Sequence, residues 1–138
     1  TCNSILALIF NATAWADIAE DDTTSPLGNL YVSLHTGDPG VGNNQTTNET
    51  AYTNYVRVAV ARTTGGWDAP AAAATANAAL IQFAQCGVTG ATLTHVAIGT
   101  ASGGAGTVLY AGALSSSLAV ANGIQPQFAA GALDVTES

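Results

Sequence analysis

The side chains able to do chemistry are few in this 138-residue sequence: two histidines, two cysteines, two arginines and nine carboxylates, with no lysine. His35 closes an apolar alternating run and is followed by Asp38. With one of the many serines, this pair would imitate a nucleophile–base–acid triad, whose logic is a serine within reach of an imidazole that a carboxylate orients. No serine, however, sits in a G-x-S-x-G elbow. The simpler reading is that His35 ends a strand and bonds the following turn. Asp38, within Gly37-Asp38-Pro39-Gly40, has the context of a turn residue that bonds its own backbone. His95 lies between Thr94 and Val96 in a second alternating run and reads as a hydrogen-bonded core or interface histidine. Without lysine there is no Schiff base and no G-x-x-x-x-G-K phosphate loop. The run Gly103-Gly104-Ala105-Gly106 precedes a strand pattern rather than a helix, the wrong context for a phosphate cradle. No catalytic residues are assigned and no enzyme is expected; a small hydrolase built on His35 and Asp38 is the minor alternative.

Cys2 and Cys86 stand far apart, without a C-x-x-C or Cys/His cluster, so they read as free thiols and no metal site or cofactor is expected. The carboxylates Asp17, Glu20, Asp21 and Asp22 form an acidic linker, able in principle to face a cation or a basic partner. The two arginines share one strand pattern on opposite faces, Arg57 and Arg62, each placed to anchor an ion pair inside the domain or across an interface.

The charge balance excludes more than it suggests. Net charge is −7 and only 8% of residues are charged. Nucleic-acid binding draws on clustered Lys and Arg, as does attraction to an anionic membrane, and both are absent. The longest apolar run, Ile5 to Phe10, is far short of the roughly 18 residues that cross a bilayer. A surface this poor in ions is cheap to desolvate, which suits a protein that packs into an assembly. No secretory signal is visible, and Thr1 is a residue of the kind left after loss of an initiator methionine, so the sequence reads as a whole chain. Three N-x-T sequons, at Asn11, Asn44 and Asn48, are expected by chance in a composition this rich in Asn and Thr.

The elements that would position these residues follow from periodicity. Residues 3–16 predict a helix capped by Asn3 or Ser4, with Ile5, Leu8, Ile9 and Ala12 on one face and Leu6, Phe10 and Trp15 widening it. Beyond the linker the pattern turns to β. Leu30–His35 alternates, and Val41–Asn54 is polar and predicts a long exposed loop. Tyr55–Arg62 predicts a strand with its valine face (Val56, Val58, Val60) inward. Residues 78–84, 92–99, 108–111, 117–121, 124–129 and 132–136 predict further strands. A hairpin loop is expected at 101–106 and a hairpin turn at Asn122-Gly123. The expected fold is mainly β, a β-sandwich or Greek-key barrel of seven or eight short strands preceded by an N-terminal helix. It divides as helix and acidic linker over 1–28 and a β domain over 29–138.

Several segments occur in order in one group of phage proteins: Leu30-Tyr-Val-Ser-Leu-His-Thr-Gly-Asp-Pro-Gly40, Tyr55-Val-Arg-Val-Ala-Val60, Gly66-Trp-Asp-Ala-Pro70, Ala76-Asn77, Thr94-His-Val-Ala-Ile-Gly99, Leu109-Tyr-Ala-Gly-Ala-Leu114 and Phe128-Ala-Ala-Gly-Ala-Leu133. The chain resembles small tailed-phage virion proteins usually labelled tail fibre or head decoration (cement) proteins. That resemblance implies a structural role on the virion and brings no catalytic residues. The leading expectation is a decoration protein on the head exterior that clamps the major capsid protein as a homotrimer, binding neither nucleic acid nor membrane. Ile5, Leu8, Ile9, Phe10, Trp15, Arg57 and Arg62 are the expected interface residues. The alternative is a tail or head fibre component for host attachment, with Tyr31, Tyr52 and Tyr55 as aromatic platforms.

Overall fold

The computed structural model describes residues 2–13 and 27–138. Trp15 and the acidic linker lie outside them. One helix, α1 (Cys2–Asn11), precedes eight strands: β1 (Asn29–His35), β2 (Val58–Ala61), β3 (Ala74–Ala76), β4 (Ile81–Gln82), β5 (Ala91–Gly99), β6 (Val108–Val120), β7 (Gln127–Phe128) and β8 (Asp134–Thr136). The chain is mainly β, in open antiparallel sheets consistent with a sandwich and not a closed barrel. It separates into two compact units. The first holds the described residues of 1–30 with 60–81 and 128–138; the second holds 31–59 with 82–127.

In the first unit the helix is shorter than its periodicity predicts. Ala12 turns into the left-handed region (φ 50°), and the Thr13 N–H returns to the Ala7 carbonyl at 3.0 Å, which closes the helix at Asn11. The buried face is Leu6 and Phe10, one turn apart, while Ile5, Leu8 and Ile9 are half-buried. Phe10 meets the fully buried Trp67 edge-on, ring centroids 4.6 Å apart, and this aromatic pair fixes which face turns inward. Asn3 is inside the helix rather than its cap. Its Oδ1 instead accepts the Ala73 N–H at 2.6 Å, pinning a tight turn in which Ala71 and Ala74 exchange both backbone bonds. That turn leads into β3, which pairs antiparallel with β8. Asn77, fully buried, gathers the chain end: its Oδ1 accepts the Leu133 N–H, and its Nδ2 donates to the carbonyls of Ala79 and Ala129.

The second unit carries most of a four-stranded sheet of order β2-β1-β5-β6. β1 lies in its interior. It pairs antiparallel with β5 from Tyr31↔Gly99 to His35↔His95. Val32, Ser33, Leu34 and His35 are all buried, so the alternation read from sequence marks two covered faces, one apolar and one polar, rather than an inside and an outside.

Three local expectations change. The run Tyr55–Arg62 is not one strand: Tyr55 is half-buried and Arg57 buried, Val56 is 62% exposed, and only from Val58 do the valines turn inward. Burying a guanidinium that finds five acceptors overrides the simple valine pattern. The 41–54 segment is not uniformly exposed, since Gln45, Thr50 and Tyr52 are buried. The segments 108–111 and 117–121 belong to one 13-residue strand, β6, whose register against β5 breaks between Leu93 and His95. The loop at 101–106 joins β5 to β6 as expected.

Candidate functional site

The chemistry of the second unit converges on one buried polar cluster, assembled from β1, the 41–54 segment, Tyr55, Arg57 and the 101–106 loop. It begins on the polar face of β1. Gln45, fully buried, donates from Nε2 to the Tyr31 carbonyl at 3.0 Å and to Ser33 Oγ at 3.2 Å. Ser33 Oγ lies 2.9 Å from His35 Nε2, and His35 Nδ1 lies 3.0 Å from the Thr47 carbonyl. A carbonyl only accepts, so Nδ1 carries the proton, and in the neutral imidazole Nε2 then accepts from the Ser33 hydroxyl. Burial pushes the His35 pKa below its ordinary 6.5, against the opposing pull of the Thr47 carbonyl and of Glu49. Room for Gln45 comes from Gly99, where a Cβ would collide with the Gln45 carboxamide.

The other half of the cluster is charged. Arg57 Nε and Nη2 reach Glu49 Oε1 and Oε2, both at 2.7 Å, a bidentate pair with the side chains 2% and 14% exposed. Arg57 Nη1 donates to the Ala101 carbonyl at 2.8 Å and to Gln45 Oε1 at 3.3 Å, and Nη2 also donates to the Gly104 carbonyl at 2.8 Å. All five guanidinium donors are therefore used. Tyr55 OH donates to Glu49 Oε1 at 2.8 Å and accepts the Leu34 N–H at 3.1 Å. Burial raises the Tyr55 phenol far above its ordinary value, with Glu49 adding to the effect, so it stays a donor. An open recess of about 360 Å³ overlies the cluster, lined by Tyr52, Asn54, Tyr55 and Gly103 among others.

This arrangement ties loops together. Neither the imidazole nor the guanidinium keeps an unused polar atom, and Asp38 is elsewhere: its Oδ1 accepts the Gly40 N–H at 2.9 Å in the turn expected for it. His95, half-buried, has Nδ1 2.8 Å from Thr94 Oγ1. Among the described residues no group of three or more His, Cys, Asp or Glu could hold a metal ion, no helix is long and apolar enough to cross a membrane, and Cys2 and Cys86 are free thiols.

The expected interface residues fall in different places. Arg57 is in the cluster. Arg62, in the first unit, takes the helix end: Nε donates to the Ile9 carbonyl at 2.6 Å, Nη2 to the Leu8 carbonyl at 2.7 Å, and Nη1 to the Leu27 carbonyl at 2.6 Å. A cation at the last carbonyls of a helix satisfies their unmade bonds and complements the dipole. Phe10 is fully buried, Ile5, Leu8 and Ile9 are half-buried, and Trp15 is outside the described residues. Of the three tyrosines considered as platforms, Tyr52 is buried and donates to the Ala84 carbonyl at 2.7 Å, its ring edge-on to Tyr55. Sequence reading misses Ser33, Gln45 and Glu49. Only Glu49 leaves a signal: it is the one acid between Asp38 and Asp68, eight residues from Arg57.

The fold and this cluster define a small β protein in which Ser33, His35, Gln45, Glu49 and Arg57 are spent on its own framework. A family model described as "Podophage GP4 fiber I protein gp80" matches residues 3–136, and the chain belongs to that family. It is accordingly a structural protein of the phage particle. No curated protein matches the chain.

Proposed function

We propose that the chain is a fibre component of the virion, acting in host attachment, rather than a cement protein of the capsid shell. The observation that carries this reading is the family match over nearly the whole chain, to a description that says fibre. The cluster supports a passive mechanical role. A bidentate ion pair with every donor satisfied holds the 41–54 segment against the 101–106 loop, so the surface they form is presented without reordering.

The test is to locate the protein on the particle. Antibody or gold labelling of intact virions, with a copy count, should find few copies grouped at discrete projections. Isolated protein should also compete with virions for adsorption to host cells. The charge-poor composition favours a second reading, shell decoration. Copies spread over the whole head in numbers near that of the major capsid protein would establish that reading and end the fibre one.

A further inference from the structure

Asn122-Gly123 is the one Asn-Gly step in the sequence. Such a step is chemically labile, because glycine has no Cβ to crowd its amide nitrogen as that nitrogen attacks the preceding carboxamide. The reaction balances with water and hydroxide alone. The Gly123 N–H gives its proton to hydroxide, and the nitrogen bonds to Asn122 Cγ. The Cγ–Nδ2 bond breaks, and Nδ2 leaves as ammonia with a proton from water. Water then opens the succinimide at either carbonyl, leaving aspartate or isoaspartate at position 122. Both residues are exposed, so burial does not keep water or hydroxide away.

The backbone opposes the first step. The Ile124 N–H bonds the Ala121 carbonyl at 2.9 Å, Gly123 has φ 90°, and Asn122 keeps a negative φ. That combination is a type II turn, in which Asn122 has ψ near about +120°. It is not the type I′ hairpin turn that Asn-Gly predicts, so the chain does not return along β6. The Ile124 and Pro126 carbonyls instead accept the N–H groups of Cys86 and Phe83. Ring closure needs the Gly123 nitrogen on the same side of the Asn122 Cα–C bond as Cβ. In an L residue at the ψ of a type II turn it lies roughly 120° away. Two further bonds hold it there. The Gly123 N–H donates to the Cys86 carbonyl at 2.9 Å, and the Gly123 carbonyl accepts Gln85 Nε2 at 2.9 Å. The proton of the nucleophile is therefore engaged, and the peptide planes on both sides of Gly123 are fixed.

We infer that Asn122 is a latent deamidation site that the fold holds closed, with Gln85 as the latch, so that the reaction proceeds only through opening of the turn. The product would be disruptive here. It places a carboxylate in the stretch from Ala69 to Leu133, which has no Asp, Glu, Lys or Arg. Isoaspartate also lengthens the backbone just where Gly123 and Ile124 bond Cys86. The inference is independent of the fibre reading, since it concerns the chain wherever it sits on the particle.

The experiment is peptide mapping by mass spectrometry on the full chain after incubation at alkaline pH, native and in urea, beside Gln85→Ala, Gln85→Glu and Gln82→Ala. Gln85 and Gln82 are both exposed, so circular dichroism should be unchanged in all three variants. Gln85→Glu keeps the stem but offers no donor, and Gln82→Ala removes a glutamine that does not touch the turn. Asn122 should convert at least about tenfold faster in urea than in the native protein, because the unfolded chain needs no local opening. Both Gln85 variants should convert about fivefold faster than native, the factor that one lost hydrogen bond gives. Gln82→Ala should match the native rate. Native conversion as fast as in urea would overturn the closed site, and folded Gln85 variants at the native rate would overturn the latch.

Discussion

Arg57 and Glu49 meet twice, Nε to Oε1 and Nη2 to Oε2, each at 2.7 Å, with the guanidinium side chain almost fully buried. Removing one partner of such a pair leaves an uncompensated buried charge, at a cost of about 3–5 kcal/mol. Glu49→Gln should therefore destabilise the protein by that amount in urea denaturation. Arg57→Lys should cost nearly as much, because three ammonium donors on a flexible stem cannot reach Glu49, Gln45, Ala101 and Gly104 together. If either variant falls within about 0.5 kcal/mol of the native protein, the cluster is not the clamp described above.

His35 makes the protein acid-sensitive. In the unfolded chain the imidazole takes a proton near its ordinary 6.5, while in the folded protein burial lowers its pKa. The unfolded state then binds more protons as pH falls, so stability is fully present above about 6.5 and declines below it, by up to about 1.4 kcal/mol per pH unit. Unfolding free energies measured between pH 7.5 and 5 should show this decline. His35→Gln should be less stable at pH 7 and have a flatter slope over the same range. An unchanged slope in that variant would assign the acid sensitivity to other groups.

Ala72 and Ala73 both adopt positive φ, 50° and 60°, in the turn between Ala71 and Ala74. Left-handed backbone costs a residue with a Cβ about 1–2 kcal/mol, and two-residue turns of this hand are normally Asn-Gly. Ala72→Asn with Ala73→Gly should relieve this strain. After the entropy that glycine adds to the unfolded chain, the net gain should be about 1 kcal/mol, a rise of several degrees in Tm. The Asn3 bond uses the Ala73 backbone N–H and survives the change.

Arg62 holds the end of α1 through the Leu8 and Ile9 carbonyls. Arg62→Met keeps the stem and removes the donors. It should cost about 1–3 kcal/mol. The loss should appear first as faster amide exchange in Cys2–Asn11 than elsewhere in the first unit. Uniform acceleration across the protein would mean that Arg62 acts on global stability instead.

Much of this protein is determined by the sequence alone. Alternation at 30–35 and 92–99 predicts β1 and β5, because a pleated strand turns its side chains with period two whatever it pairs with. Gly37-Asp38-Pro39-Gly40, the 101–106 glycines and Asn122-Gly123 predict turns from local backbone preference. The scarcity of basic side chains, with no lysine and two arginines, is likewise plain before any fold is known. Which faces are buried, and what fills them, depends on residues distant in sequence, and only the tertiary structure decides it. The helix turns Leu6 and Phe10 inward because Trp67 is there, and Val56 faces out because Arg57 finds five acceptors inside. Gln45 enters the interior through the missing Cβ of Gly99. The strand after Asn122-Gly123 pairs with 83–86 instead of β6. A turn motif sets the local reversal of the chain, but the partner of the strand that follows is chosen by long-range hydrogen bonding.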